Sequence, residues 1–142
     1  MWASALTCNR ILGRGKGADW LGGAIGGLID DPLNLTYAQG IAITWPKYLL
    51  TCYKDHLQTM KSFALHVMNI DPTSKTDEEI AHEGAQALQD FYKEMGIATT
   101  AKELGVNKYD MNEIEQRINH LAKRNVISKE DIKTIIRLAI GG

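Results

Sequence analysis

Helix-start signals recur through the second half of the chain, and each opens a run of apolar residues at three- and four-residue spacing. Thr76-Asp77-Glu78-Glu79 is the clearest. The threonine oxygen can accept an orphan N–H of the first turn while the glutamate reaches back to the cap's own N–H. Ile80, Gly84, Ala87, Leu88, Phe91 and Met95 then share one helical face, and Gly96 supplies a left-handed stop. Thr100-Ala101-Lys102-Glu103 predicts a short helix closed by Gly105. Asp110-Met111-Asn112-Glu113 opens a helix with Met111, Ile114, Ile118 and Leu121 inward. Ser128-Lys129-Glu130-Asp131 opens the last, with Ile132, Ile135, Ile136 and Ala139 inward.

Upstream, Tyr37, Ile41, Trp45, Leu49, Cys52 and Tyr53 form a long apolar stripe. Pro46 falls inside it and removes a backbone hydrogen bond, which predicts a kink or two abutting helices. Leu57, Met60, Ala64, Val67 and Met68 make another face, ended by Asp71-Pro72. Helices are also expected over 2–12 and 18–30. No segment alternates apolar and polar residues as a half-buried strand does, and no internal repeat is present. The expectation is an all-α fold: a helical bundle of about seven or eight helices, forming a single helical domain over residues 1–142.

Composition bounds the function. Lys plus Arg number 16 and Asp plus Glu 17, a net charge of −1. A nucleic-acid or membrane-surface protein needs a basic excess, so neither partner is expected. Cys8 and Cys52 are the only cysteines, too few for a disulfide framework or a four-cysteine zinc site. With no long apolar run and no secretory pattern over Met1–Arg10, the expected location is cytoplasmic.

Local candidates for chemistry are weak. Gly13-Arg14-Gly15-Lys16-Gly17 meets neither phosphate-loop pattern and reads as a basic turn. His56, His66, His82 and His120 show no paired metal-ligand spacing. Asp30-Asp31 offers too few oxygens for a cation and reads as a helix terminus. Both cysteines sit in apolar stretches, as packed thiols do. The segment Gly22-Gly23-Ala24-Ile25-Gly26-Gly27 is unusual, because each helical glycine costs about 1 kcal/mol relative to alanine. Either the helix is locally unwound there, or another helix approaches closely over Gly22/Gly26 or Gly23/Gly27, or side chains with a former task have been lost.

Five motifs in order carry a resemblance. They are Lys16-Gly17-Ala18-Asp19-Trp20, Gly40-Ile41-Ala42-Ile43-Thr44-Trp45-Pro46, Asn69-Ile70-Asp71-Pro72, Phe91 to Thr100, and Glu103-Leu104-Gly105. Together they resemble the C-terminal half of iron-containing alcohol dehydrogenases, in the butanol-dehydrogenase-like branch. The resemblance implies a helical domain that holds divalent iron or zinc and normally follows an N-terminal NAD(P)-binding domain, absent from residues 1–142. In that family the metal rests on one aspartate and three histidines. A gapless register from Asp19-Trp20 to Ile43 places Gly27 and Tyr37 at the last two histidine positions. Glycine has no side-chain ligand, and a lone phenolate cannot hold iron.

The expectation is therefore a truncated, catalytically inactive relative with no catalytic, cofactor-binding or metal-ligating residues and no cofactor of its own. One alternative is a subunit of a split oxidoreductase, completed by a separate cofactor-binding chain. Another is a small-molecule-binding or interaction module using Arg14 and Lys16 beside the glycine run. As partner, a homo-oligomer or the missing cofactor-binding domain is expected, through apolar surface around Trp2, Leu6, Ile11, Leu28 and Ile29.

Overall fold

A computed structural model describes residues 20–123 and 127–141. Among them the regular elements are α1 (Leu21–Leu33), α2 (Tyr37–Cys52), a 3-10 turn (Tyr53–His56), α3 (Leu57–His66), α4 (Asp77–Glu94), α5 (Met111–Ala122) and α6 (Lys129–Ile140). No strand occurs among the described residues. Among the described residues the fold is all-α, with fewer helices than the expected seven or eight. The described residues form five helical stretches, one of them divided by the 3-10 turn between α2 and α3. The helix expected over 2–12, Cys8 and the Gly13–Gly17 turn lie outside the described residues.

The caps follow the sequence. Thr76 accepts from the Glu79 N–H at 3.3 Å, and Glu79 Oε2 accepts from the Thr76 N–H at 2.7 Å. Asp110 accepts from the Asn112 N–H at 2.8 Å, and Ser128 from the Asp131 N–H at 3.0 Å. A further capping box, Thr36 with Gln39, starts α2. Pro46 does not divide α2, which runs unbroken past it. The proline ring is fully buried, and Thr44 Oγ1 donates back to the Gly40 carbonyl at 2.7 Å within the preceding turn.

Residues 101–105 form turns, not the expected helix. So short a segment gains too few internal hydrogen bonds to offset helix nucleation. Its N–H groups face elsewhere: Ala101 donates to the Ala139 carbonyl at 2.8 Å and Lys102 to that of Ile140 at 3.3 Å. These are carbonyls that the end of α6 leaves without helical partners. The loop thus caps the last helix, and Gly105 turns the chain at φ +80°.

Two clusters make the core. The larger joins Ile25, Ile29, Ile43, Ile114, Ile132 and Ile135, all fully buried, from α1, α2, α5 and α6. The smaller gathers Met60, Ala81 and Ala85 between α3 and α4. α2 contacts α1, α4 and α6 and ties the two together. Leu28 and Ile29, expected at an uncovered surface, are core residues at 6% and 0% exposure.

The inward face of α4 also differs from expectation. It carries Ile80, Ala81, Gly84, Ala85 and Gln89, while Phe91 and Met95 are 47% and 62% exposed. Ala64 of α3 sits where a side chain at Gly84 would go, so small residues define the contact. Met111 is likewise exposed at the start of α5.

Candidate functional site

The glycine run lies in α1, and the start of α2 crosses it. A Cβ at Gly22 would collide with the edge of the Trp45 ring, and one at Gly26 would lie 2.6 Å from Ile41 Cδ1. Close approach over Gly22 and Gly26 therefore accounts for two of the glycines, and α1 is not unwound. Gly40 answers from α2: Asp30 Oδ1 occupies the space its side chain would take.

The other two glycines face differently. A Cβ at Gly23 would lie 3.3 Å from the Tyr37 hydroxyl, and one at Gly27 would meet nothing within 4 Å. Tyr37 is 63% exposed. Beside Gly27 is an open hollow of about 380 Å³, to which α5 contributes Gln116, Arg117 and His120. Arg117 is already engaged, with Glu113 at 2.8 Å and with Asp31 at 3.3 Å.

These residues do not form a set that fits a divalent metal. Position 27 offers no donor, and Tyr37 offers one exposed phenol. Asp30 Oδ1 is buried without a hydrogen-bond partner, but it is packed against Gly40. Burial, and then the neighbouring Asp31 charge, push the Asp30 carboxyl above its ordinary pKa, so it is a poor anionic ligand. No group of three or more His, Cys, Asp or Glu side chains converges among the described residues. His56, His66 and His82 lie on the 3-10 turn, α3 and α4, away from His120 on α5. Asp30 and Asp31 sit in the last turn of α1, which Asn34 closes in the left-handed conformation at φ 52°.

A family profile described as "Fe-containing alcohol dehydrogenase family, C-terminal" matches residues 21–140. The chain belongs to this family. It matches the C-terminal helical domain of the butanol-dehydrogenase-like branch. The "NADH-dependent butanol dehydrogenase A" of Clostridium acetobutylicum is 30% identical over 111 residues, covering 76% of this chain and 28% of that protein. "Probable NADH-dependent butanol dehydrogenase 1" of Bacillus subtilis is 23% identical over 99% of this chain and 37% of its own length. The crystal structure of NADH-dependent butanol dehydrogenase A from Thermotoga maritima superposes with a TM-score of 0.80 at 20% identity, covering 97% of this chain and 37% of that one. The chain thus spans 28% to 37% of the length of these relatives, and the likeness to the solved structure concerns the fold.

Sequence reasoning missed a buried polar pair. Lys47 of α2 donates its ammonium to the Gln89 side-chain oxygen of α4, with the two residues 8% and 9% exposed. Burial, and then the nearby Lys93 charge, lower the Lys47 pKa, while Glu103 and Asp90 act the other way. Its place after Pro46 in an apolar stripe was the signal available: a lysine there has to be buried or has to bend away.

Proposed function

We propose that this chain is a catalytically inactive member of the iron-containing alcohol dehydrogenase family, a helical domain that no longer holds the divalent metal. Gly27 carries the reading. It stands at a position where the family resemblance expects a ligand histidine, and the space around its Cα is open. Tyr37, at the other position, supplies one exposed oxygen. Three or more donors are needed to retain iron or zinc, and without the metal there is no Lewis acid to polarise an alcohol oxygen. On this reading residues 1–142 are one helical domain with no catalytic, metal or nicotinamide-binding residues. No helix among the described residues is long and apolar enough to cross a membrane. A cytoplasmic location is part of the reading.

Elemental analysis tests it. After incubation with ferrous iron or zinc and dialysis, the chain is expected to retain neither stoichiometrically. One tightly held metal ion per chain would overturn the assignment of positions 27 and 37. Alcohol oxidation with NAD or NADP is expected to equal that of a heat-killed control.

A second reading makes the chain one subunit of a split dehydrogenase. Its support is the span: the matches cover 28% to 37% of the relatives' length. Metal uptake or turnover appearing only when a cofactor-binding chain is added would favour this reading over the first.

A further inference from the structure

α5 and α6 lie side by side, and a groove of about 360 Å³ runs between them, with Ile118 and Ile136 among its apolar lining. Tyr109 and Met111 border it, 38% and 49% exposed. Along the α6 lip stand Glu130, Lys133, Thr134 and Arg137. Their spacing of three, one and three keeps them on one edge of the helix. The edge is polar in the directional sense, with its acid at the N-terminal end and its free base at the C-terminal end.

The chain answers these charges only in part. Lys133 lies 3.9 Å from Glu130 and 4.0 Å from Glu115, at the outer limit of an ion pair. The Glu130 side chain is 82% exposed. Arg137 has no ion-pair partner among the described residues.

We propose that a second copy of this chain docks on this edge, α6 against α6, antiparallel about a two-fold axis beside Lys133 and Thr134. In an isologous contact, residue i of one copy meets j of the other, and j meets i. Antiparallel packing places Glu130 of each copy against Arg137 of the other, so two equivalent ion pairs form at once. Parallel packing would set Arg137 on Arg137, so the charge order selects the antiparallel sense. Near the axis Thr134 offers a short side chain for the crossing, and Glu115 of each copy comes within reach of the other's Lys133. Leu138, 38% exposed beside Arg137, is covered at each end. A helix of this length spans about 18 Å, so the interface is small and the association falls in the micromolar range. The proposal stands whether or not the domain retains a metal.

Sedimentation velocity on the full chain across the micromolar range tests it. A monomer–dimer equilibrium that weakens with added salt is expected. Glu130→Arg and Arg137→Glu should each raise the dimer Kd about tenfold or more, because each turns both pairs repulsive. The double variant E130R/R137E should recover the dimer, and an equimolar mixture of the two single variants should form heterodimers. Circular dichroism of each single variant matching the parent keeps the comparison one of association. A monomer throughout, a dimer indifferent to both reversals, or a double variant no better than the singles would overturn the proposal.

Discussion

The indole of Trp45 fills the space beside Gly22 that any side chain would need, whereas the space beside Gly27 is empty. Two glycines of one helix therefore exist under opposite constraints. Gly22→Ala should destabilise the fold by about 1–3 kcal/mol, because the Trp45 ring or the α1–α2 crossing must shift. Gly27→Ala should stabilise it by up to about 1 kcal/mol through helix propensity alone. Urea unfolding of the two variants checks this. Equal changes would mean that the helix crossing is misplaced.

Ile135 and Phe91 make a second pair of opposites. Ile135 is fully buried where α6 meets the larger core, and Phe91 is half-exposed near the end of α4. Ile135→Ala is expected to cost about 2–5 kcal/mol, the range for emptying a packed isoleucine site. Phe91→Ala should cost less than about 1 kcal/mol. Thermal melts would distinguish them, and a large loss at Phe91 would place a partner or an undescribed segment on that surface.

A pH dependence follows from Asp30. Its folded pKa lies above the unfolded value, with burial the main cause and Asp31 the lesser one. A carboxyl shifted upward destabilises the fold once ionised. Its penalty is absent below the unfolded pKa and sets in as pH rises through the folded one. Asp30→Asn should therefore raise stability at neutral pH, with the gain shrinking as the solution is acidified toward pH 4. Glu79 and Glu103 act in the opposite direction, since hydrogen bonds from the Thr76 and Thr99 backbones lower their pKa values. Both lose their contribution as pH falls, so the comparison has to be made as variant against parent at each pH. A gain that grows on acidification would refute the assignment.

The fold class was legible because helix starts are local events. Thr76, Asp110 and Ser128 announce their helices within four residues, and each cap forms as read. The inward face of α4 was not legible. Phe91 and Met95 continue the expected apolar face, yet both are exposed, and the contact with α3 is made by Gly84 against Ala64. Burial there follows how closely the two backbones approach, which hydropathy does not encode. The same holds for Lys47 and Gln89, a buried pair whose members only the packing of α2 on α4 brings together. At the candidate site, the assignment of Gly27 and Tyr37 to ligand positions rests on the family resemblance and belongs to the proposal. The division of the glycine run into packed Gly22 and Gly26, Gly23 against the Tyr37 hydroxyl and open Gly27 needed the position of α2.

The clasp between residues 101–102 and the end of α6 bears on how quickly the domain can form. Most small helical proteins fold fast because their contacts join neighbours in sequence. Here the last helix packs against α2, from the first third of the chain, and its terminal carbonyls are held by a loop that follows α4. Both connections close large loops before any of their energy is returned. Folding should accordingly run slower than in an up-and-down bundle of the same helices, with α6 docking as a late, cooperative event.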